Sequence, residues 1–484
     1  MRPANQRVYI GLLLFSSSLE DIKAVAEAVV LIRQEYRDIR FTLFVHNGII
    51  RNRLLKPGGH FKLSVINDLP KFKELRNTTV INLSPALGNV ERSEFKTVAV
   101  YEKIFDLLRD NSIELIDDSN RSKAFETSKR IIWTSVYNPC DGYGSSAEQT
   151  LIALDRHTNY DIVFKPHIEK GLELAQPESK HIYNKSKMFS MQRGVALDGH
   201  YIYNAQPHEQ SLSHLYRGKT INFTVWESNK IPPKWPILMN KFTEVWTASE
   251  WGRQIMLKCG VKRDIHVCSF GVNEKIFKYR KQEEPSGKFR FLIFANSHWE
   301  QHRKNYPAAL EGFRKAFGNN KNVELVCKIT TSGGNIPKLP NNVKLINERM
   351  TTSDLVKLIH SCHCFIFPSR GEGFGLPPRE AMCCGVPVIV TNTSALQDIA
   401  KEKFTWPVQP HGYVPARGYS RVYGKTSELG VFDEVRSSDI AEQMLAVYNN
   451  YSDAIERSLV ARKFISENQT YEHTAKRIIE LLER

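Results

Sequence analysis

Several features that would decide a class at once are missing from this sequence. No apolar run reaches the roughly eighteen residues that a membrane-spanning helix needs, which excludes that element and leaves contact with an anionic membrane surface as the membrane role still open. The eight cysteines follow neither a disulfide framework nor Cys-x-x-Cys zinc spacing. Reduced thiols and a cytoplasmic location are therefore the expectation. Cys362-His363-Cys364 is no metal site on this reading, because alternate residues of a strand share a face, the histidine points away, and no second ligand pair is near. There is also no basic tail. The net charge of +15 favours an acidic partner, but it divides as +5 over residues 1–130, +4 over 131–285 and +6 over 286–484. So even a spread marks no dedicated nucleic-acid arm, though it leaves a folded basic groove open.

What is present is enough chain for more than one core. At 484 residues, with 41% hydrophobic and 10% aromatic composition, two or three globular domains are expected. Arg2 and Arg7 precede the apolar run Val8–Phe15. With no small-x-small cleavage pattern after it, and a helical apolar spacing over Leu19–Tyr36, the run reads as a first strand and not as a leader. Strands at Phe41–His46 and Thr79–Asn82 and a helix at Val98–Asp110 continue a βαβ beginning, while the stretch between the two strands reads as a loop.

The chain is organised around Ser369–Val388, Ser-Arg-Gly-Glu-Gly-Phe-Gly-Leu-Pro-Pro-Arg-Glu-Ala-Met-Cys-Cys-Gly-Val-Pro-Val. The apolar run Cys364–Phe367 before it predicts a buried strand, the glycines a tight turn, and Pro377–Cys384 a helix opened by proline. Gly373 and Gly375 allow close backbone approach, and a helix start offers unpaired N–H groups and a positive dipole end to an anion. Glu372 and Glu380 would repel phosphate but suit hydroxyl groups, from which carboxylates accept strong hydrogen bonds. Phosphate and polyol together suggest a nucleotide sugar.

With seven residues between its two glutamates, the motif resembles the signature of retaining GT-B glycosyltransferases of family 4. The resemblance implies an α/β GT-B fold, two Rossmann-like domains facing a cleft, and transfer from a nucleotide-diphosphate sugar used as co-substrate, with no cofactor and no metal. Carried over residue by residue, it places Glu372 by the donor sugar, Gly373, Phe374, Gly375 and Leu376 by sugar and phosphate, and Glu380 on the ribose hydroxyls. The fresh start at Ile131–Val136, followed by Asn138-Pro-Cys-Asp-Gly-Tyr-Gly and a helix at Glu148–Arg156, resembles the opening of that family's first domain. Gly142, Tyr143 and Gly144 then face the donor. Further strands are read at Tyr160–Phe164 and Ile221–Trp226. At the end of the second, Trp226 and Glu227 stand where the family often has a histidine, and Glu227 is the candidate to polarise the reaction centre. Asn273 stands where an aspartate is common, and Phe270–Phe277 is read as structural.

Residues 281–288 are polar and turn-rich and mark a linker. After it, strand Phe289–Ala295 leads to Arg303-Lys304-Asn305 and the helix Pro307–Phe317. By resemblance Lys304 and Arg303 meet the diphosphate, with His298 near the place where the family usually has an arginine. Strands at Val323–Ile329, Val343–Ile346 and Val386–Val390 complete a doubly wound alternation. The base is expected near Asn347–Met350, a loop at Thr391–Ala395, and amphipathic helices at Asp439–Asn449 and Glu472–Leu482, the last crossing back to the first domain.

The organisation expected is an appended α/β module over 1–128, an acceptor-side domain over 129–285 and a nucleotide-sugar domain over 286–484. Phe41-Thr-Leu-Phe-Val-His-Asn-Gly weakly resembles a strand of GT-A, family 2 enzymes, but Asp117-Asp118 lacks the spacing of their metal-binding pair. The acceptor ranks first as a glycan or lipid-linked glycan and second as hydroxylated DNA. A nucleotide-sugar epimerase and a noncatalytic nucleotide- or nucleic-acid-binding GT-B module are the rival readings.

Overall fold

The computed structural model describes residues 8–14, 39–45, 62–65, 78–82, 130–135, 142–166, 182, 199–208, 218–296, 301–330, 339–348, 350–417 and 428–484. The helices expected at Leu19–Tyr36 and Val98–Asp110, the Asp117-Asp118 pair, Asn138–Asp141, His298 and Arg349 lie outside these residues. The chain forms two compact units, one of Met1–Arg130 with Tyr183–His200 and Leu212–Gly218, the other of Ile131–Ile182, Tyr201–Ser211 and Lys219–Arg484.

The first unit carries a parallel sheet of β1 (Val8–Leu14), β2 (Ile39–Val45), β3 (Lys62–Val65) and β4 (Thr78–Asn82), in the order β3-β2-β1-β4. The apolar run after Arg7 is thus a central strand. β3 falls in the stretch read from sequence as a loop.

The second unit holds two six-stranded sheets, the Rossmann-like pair of the expected GT-B architecture. The first sheet contains β5 (Arg130–Ser135), β6 (Asp161–Pro166), β7 (His200–Asn204), β8 (Thr220–Phe223), β9 (Glu244–Thr247) and β10 (Asp264–Val267), ordered β10-β9-β8-β7-β5-β6. Its helices are α1 (Gly142–His157), α2 (Trp235–Met239) and α3 (Glu250–Lys258), the last capped by Ser249, whose hydroxyl accepts the Gly252 N–H. Strands β5 and β6 are shifted by one or two residues from expectation, and two larger differences bear on the site. Strand β8 stops at Phe223, so Trp226 leaves the sheet and is buried against Trp235, its indole N–H donated to Ser228 Oγ and the Lys230 carbonyl. Helix α1 begins at Gly142, so Gly142-Tyr143-Gly144 is the helix's first turn and not a turn before it.

The second sheet contains β11 (Phe289–Asn296), β12 (Val323–Thr330), β13 (Val343–Ile346), β14 (Cys364–Phe367), β15 (Val388–Thr391) and β16 (Trp406–Val408), all parallel, in the order β13-β12-β11-β14-β15-β16. Its helices in this stretch are α4 (Gln301–Lys304), α5 (Tyr306–Phe317), α6 (Thr352–His360) and α7 (Leu376–Cys383). Strand β14 shows why the apolar run is unbroken: Cys364 and Ile366 pack into one core with Phe313 of α5, while Phe365 and Phe367 enter the opposite core with Met382 of α7. His363 of the Cys-x-Cys stretch accepts the Arg290 N–H through Nδ1 and stacks on Phe289.

A hairpin of β17 (Gly412–Pro415) and β18 (Val431–Glu434) follows, and then α8 (Ser437–Asn449), α9 (Tyr451–Asn468) and α10 (Tyr471–Leu482). The hairpin and α9 have no counterpart in the sequence reading. Helix α10 lies against α1 and the end of β10: Arg477 Nε donates to the Val267 carbonyl (3.1 Å) and Thr474 Oγ1 to the Ser269 carbonyl (2.9 Å).

Candidate active site

In a doubly wound sheet a ligand binds beyond the carboxyl ends of the strands, where the strand order reverses. In the second sheet that place lies between β11 and β14. The chain leaving β11 reaches Arg303 and Lys304 in α4, and the chain leaving β14 reaches Ser369 and Glu372. The topology therefore brings together residues far apart in the chain, and they meet on a single oxygen. Arg303 Nη1, Lys304 Nζ and Ser369 Oγ donate to Glu372 Oε1 at 2.7, 2.7 and 2.6 Å. Arg303 also donates to the Gly371 carbonyl (3.0 Å), and Lys304 Nζ sits 4.9 Å over the Phe367 ring.

Glu372 is buried. Burial alone would raise its pKa, but the two adjacent cations and the hydrogen bonds of Lys304 and Ser369 outweigh it and hold the carboxyl down at about 2. The backbone is pinned as well. Ser394 Oγ accepts the Glu372 N–H (2.8 Å), and the Ala395 N–H donates to the Glu372 carbonyl (3.2 Å). Ser394 has φ 44°, a left-handed conformation that a serine adopts only when its surroundings impose it. Ser369 and Ser394 are the site residues that sequence reasoning missed. Hydroxyls following two strand ends were the available signal.

The glycines serve contacts between the two sheets' loops. A methyl group on Gly371 would lie 2.1 Å from the Glu227 carbonyl oxygen, and one on Gly373 would lie 2.5 Å from Val225 Cβ. So the close approach at Gly373 is of protein to protein. Gly375 has φ +83°, which suits glycine as the residue before α7. Phe374 is buried and meets Phe270 edge to face at 5.6 Å, which gives Phe270 its packing role. Pro377 and Pro378 fall in the first turn of α7 and have no N–H, so two of the four donors that a helix start usually presents are missing. Positive charge at this end comes mainly from Arg303 and Lys304.

Tyr143 and Gly142 join the same constellation. The Tyr143 hydroxyl accepts the Val225 N–H (3.0 Å) and pairs with Thr224 Oγ1 (2.9 Å). A methyl on Gly142 would reach Leu376 Cδ1 at 3.9 Å, so the starts of α1 and α7 adjoin. Gly144 is buried in α1. The Glu227 carbonyl borders Gly371, which brings the polypeptide at Glu227 to the loop that carries Glu372.

Glu380 stands apart from the cations. It is half-buried on α7, and burial lifts its carboxyl to about 7. The neighbouring Tyr471 phenol is pushed up by its own burial and then by the charges of Glu380 and Glu148. Asn273, where an aspartate was noted as common, donates its amide to Gln149 Oε1 (2.6 Å), a link between the end of the first sheet and α1.

Residues 337–414, which include the whole Glu372–Glu380 stretch, match the family model described as Glycosyl transferases group 1. The chain is 46% identical over 50 residues to the serotype-specific mannosyltransferase WbdA of Escherichia coli, a match covering 10% of this chain and 6% of that protein. It is 24% identical over 140 residues to the O-antigen chain mannosyltransferase RfbU of Salmonella typhimurium, covering 28% of this chain and 37% of that one. The matched stretches thus span well under half the length of these relatives. Similar solved structures include sucrose-phosphate synthase from Thermosynechococcus elongatus (TM-score 0.41, 12% identity, 99% of this chain and 98% of that one). Another is TarM of S. aureus (TM-score 0.43, 17% identity, 60% of this chain and 56% of that one).

Proposed function

We propose that this protein is a glycosyltransferase that moves a sugar from a nucleoside-diphosphate donor to a hydroxyl of a glycan or lipid-linked glycan, with retention of anomeric configuration. The observation that carries this reading is the convergence of Arg303, Lys304 and Ser369 on Glu372 Oε1 at the switch point of a parallel sheet, with Ser369 and Glu372 inside the stretch that matches the family model. Two cations within reach of one point are what a departing diphosphate requires. In the transfer the bond from the sugar's anomeric carbon to the donor phosphate oxygen breaks. A bond to the acceptor oxygen forms, and the acceptor's proton passes to the departing diphosphate. Negative charge grows on the leaving group, and fixed donors aimed at growing charge are usually the largest catalytic contribution.

In this role Arg303 grips the diphosphate with its planar fork, and Lys304 meets it as a point charge. The start of α7 adds its dipole. On this reading charge neutralisation by side chains is sufficient and no metal is called on. Glu372, ionised at all working pH values, orients donor hydroxyls and faces the electron-poor sugar carbon, while Glu380 accepts the ribose hydroxyls. The names of the partial relatives make mannose the first sugar to test.

The test is a thermal-shift screen against nucleoside diphosphates and their sugars, because a ligand that binds only the native state raises its melting temperature. Release of nucleotide is then measured with glycan and lipid-linked acceptors. Stabilisation by one nucleotide class, with release that depends on a glycan acceptor, is the expected result. Conversion of donor without acceptor would indicate an epimerase. If no ligand stabilises the protein and Glu380→Ala melts identically with every ligand, the pocket is vestigial or closed, and the reading as a noncatalytic module leads.

A further inference from the structure

Arg379 lies between Pro378 and Glu380 on α7, and its side chain is fully buried. A guanidinium removed from water this completely persists only where other groups replace its hydration. The nearest carboxylate, Asp398, is 3.9 Å away and 43% exposed, so the replacement is made by neutral acceptors. Nη1 donates to the Phe374 carbonyl and, at 3.1 Å, to the Gly375 carbonyl, Nη2 to the Ala395 carbonyl at 3.4 Å, and Nε to Gln469 Oε1 at 2.9 Å. The guanidinium carbon stacks 3.9 Å over the Phe374 ring.

Each partner has a place in the site. Phe374 and Gly375 form the loop from Glu372 to α7, and Ala395 is the residue whose N–H holds the Glu372 carbonyl. Gln469 joins α9 to α10, and its own carbonyl accepts the Val272 N–H at 2.8 Å, where the chain from the first sheet passes. One side chain thus ties the loop, the Glu372 support and the crossing segment.

We propose that Arg379 is a positioning residue: it fixes the Phe374–Gly375 backbone beside Glu372, and Gln469 of the α9–α10 connection holds it in place for that task. Donor affinity then depends on a residue with no surface open to a ligand. The donor part of this inference rests on the proposed function, whereas the loop part does not. Without Arg379 the Phe374 carbonyl loses its guanidinium donor in a buried place, the Gly375 carbonyl keeps only the first intrahelical bond of α7, and the loop moves to satisfy the group left over. Lysine keeps the charge but cannot reproduce a fork that serves several carbonyls and a stack together.

The test compares Arg379→Leu, Arg379→Lys, Gln469→Leu and the double variant that combines Arg379→Leu with Gln469→Leu against the wild type. Hydrogen exchange of the ligand-free protein is read at the amides of Gly373–Leu376, and the Kd for a nucleoside diphosphate is read by titration. For Arg379→Leu we expect exchange about tenfold faster at the loop with α5 unchanged, and a Kd about tenfold weaker. Arg379→Lys should fall between Arg379→Leu and the wild type. Gln469→Leu should shift both readouts the same way by less, and the double variant should be no worse than Arg379→Leu alone. Wild-type exchange and Kd in a folded Arg379→Leu protein, or effects of the two sites that simply add, overturn the proposal. If Arg379→Leu does not fold, Gln469→Leu decides, and unchanged exchange there overturns it. A wild type that binds no nucleoside diphosphate removes the donor part together with the proposed function, while loop exchange still decides the rest.

Discussion

Glu372 and Glu380 belong to one motif and sit at the two ends of one short loop and helix, yet their surroundings are opposite. Glu372 is buried against Arg303, Lys304 and Ser369 and is held ionised down to about pH 2. Glu380 is half-buried, gains nothing from a cation, and is lifted by burial to about 7. The difference teaches that the motif is no symmetric clamp. Its first carboxylate is paired with two cations, which on the proposed reading a diphosphate would share, and its second is perturbed by burial alone, which suits the ribose hydroxyls of that reading. Environments that drive two carboxyls apart in this way assign them separate tasks.

The largest expected effect falls on the cationic side. Lys304→Ala should lower kcat about 10²–10³-fold, the size of loss seen when one fixed donor to a growing charge is removed. Glu372→Gln separates binding from turnover. Turnover should fall comparably, but free nucleoside diphosphate should bind more tightly than to the wild type, since no carboxylate then competes for Arg303 and Lys304. Titration of a nucleoside diphosphate into folded Glu372→Gln checks this, and weaker binding would break the contrast between the two glutamates.

Acid stability is the next test. Because the folded-state pKa of Glu372 is depressed, its contribution is present above the unfolded value near 4.5 and is lost as pH falls from there through about 2. Unfolding by urea across that window should show a loss on the order of 2 kcal/mol in the wild type that Glu372→Gln lacks. Glu380 has the opposite sign. Its raised pKa gives stability that is full below 4.5 and is lost as pH rises through about 7. Glu380→Gln should therefore gain on the wild type at pH 8 and match it at pH 4.

Nucleotide binding itself should follow Glu380. If ribose hydroxyls donate to the carboxylate, only the ionised form is competent, and the apparent affinity carries the ionised fraction. With a pKa of about 7, Kd should weaken about tenfold from pH 8 to pH 6, accompanied by proton release on binding at neutral pH. Glu380→Gln should show a flat profile. A wild-type Kd independent of pH over this range would place the ribose elsewhere.

Much of this arrangement was legible in the residues, and the illegible part has physical reasons. Strand Cys364–Phe367 carries an apolar run and strand Val343–Ile346 a mostly apolar one interrupted by Lys344, and the structure starts and ends both at the same positions. The glutamates and the Arg303-Lys304 pair were picked out by residue type together with the resemblance of the motif to a glycosyltransferase signature. The convergence of Lys304 with Glu372 was not, because it depends on the reversal of strand order between β11 and β14, a tertiary fact. Gly373 suggested room for a ligand, but no sequence shows that Val225 from the other sheet's loop fills that side. Ser394 looked like ordinary loop, and only the folded chain reveals its left-handed backbone and its bond to Glu372. β7 carries a β-favouring His-Tyr-Ile-Tyr-Asn run that was readable and passed over, whereas α9 has too even a distribution of polar and apolar residues to declare a face.

The smallest effect tests whether Glu372 is held from both sides. The Tyr143 hydroxyl takes the Val225 N–H at 3.0 Å, and Val225 packs under Gly373 in the loop that follows Glu372. Tyr143→Phe removes the acceptor and leaves that N–H unpaired, which should cost about 1 kcal/mol of stability. If the start of α1 acts by supporting the loop, nucleotide Kd should change by less than the stability does. If the hydroxyl instead contacts the donor, Kd should weaken about tenfold while the melting temperature stays put, the size expected when one hydrogen bond of about 1.4 kcal/mol is lost. The first outcome makes the Glu372 side rigid by virtue of both sheets and leaves Glu380 as the adaptable end. The second would give the donor a direct partner on the first sheet, and the contrast between the two carboxylates would then describe only half of its site.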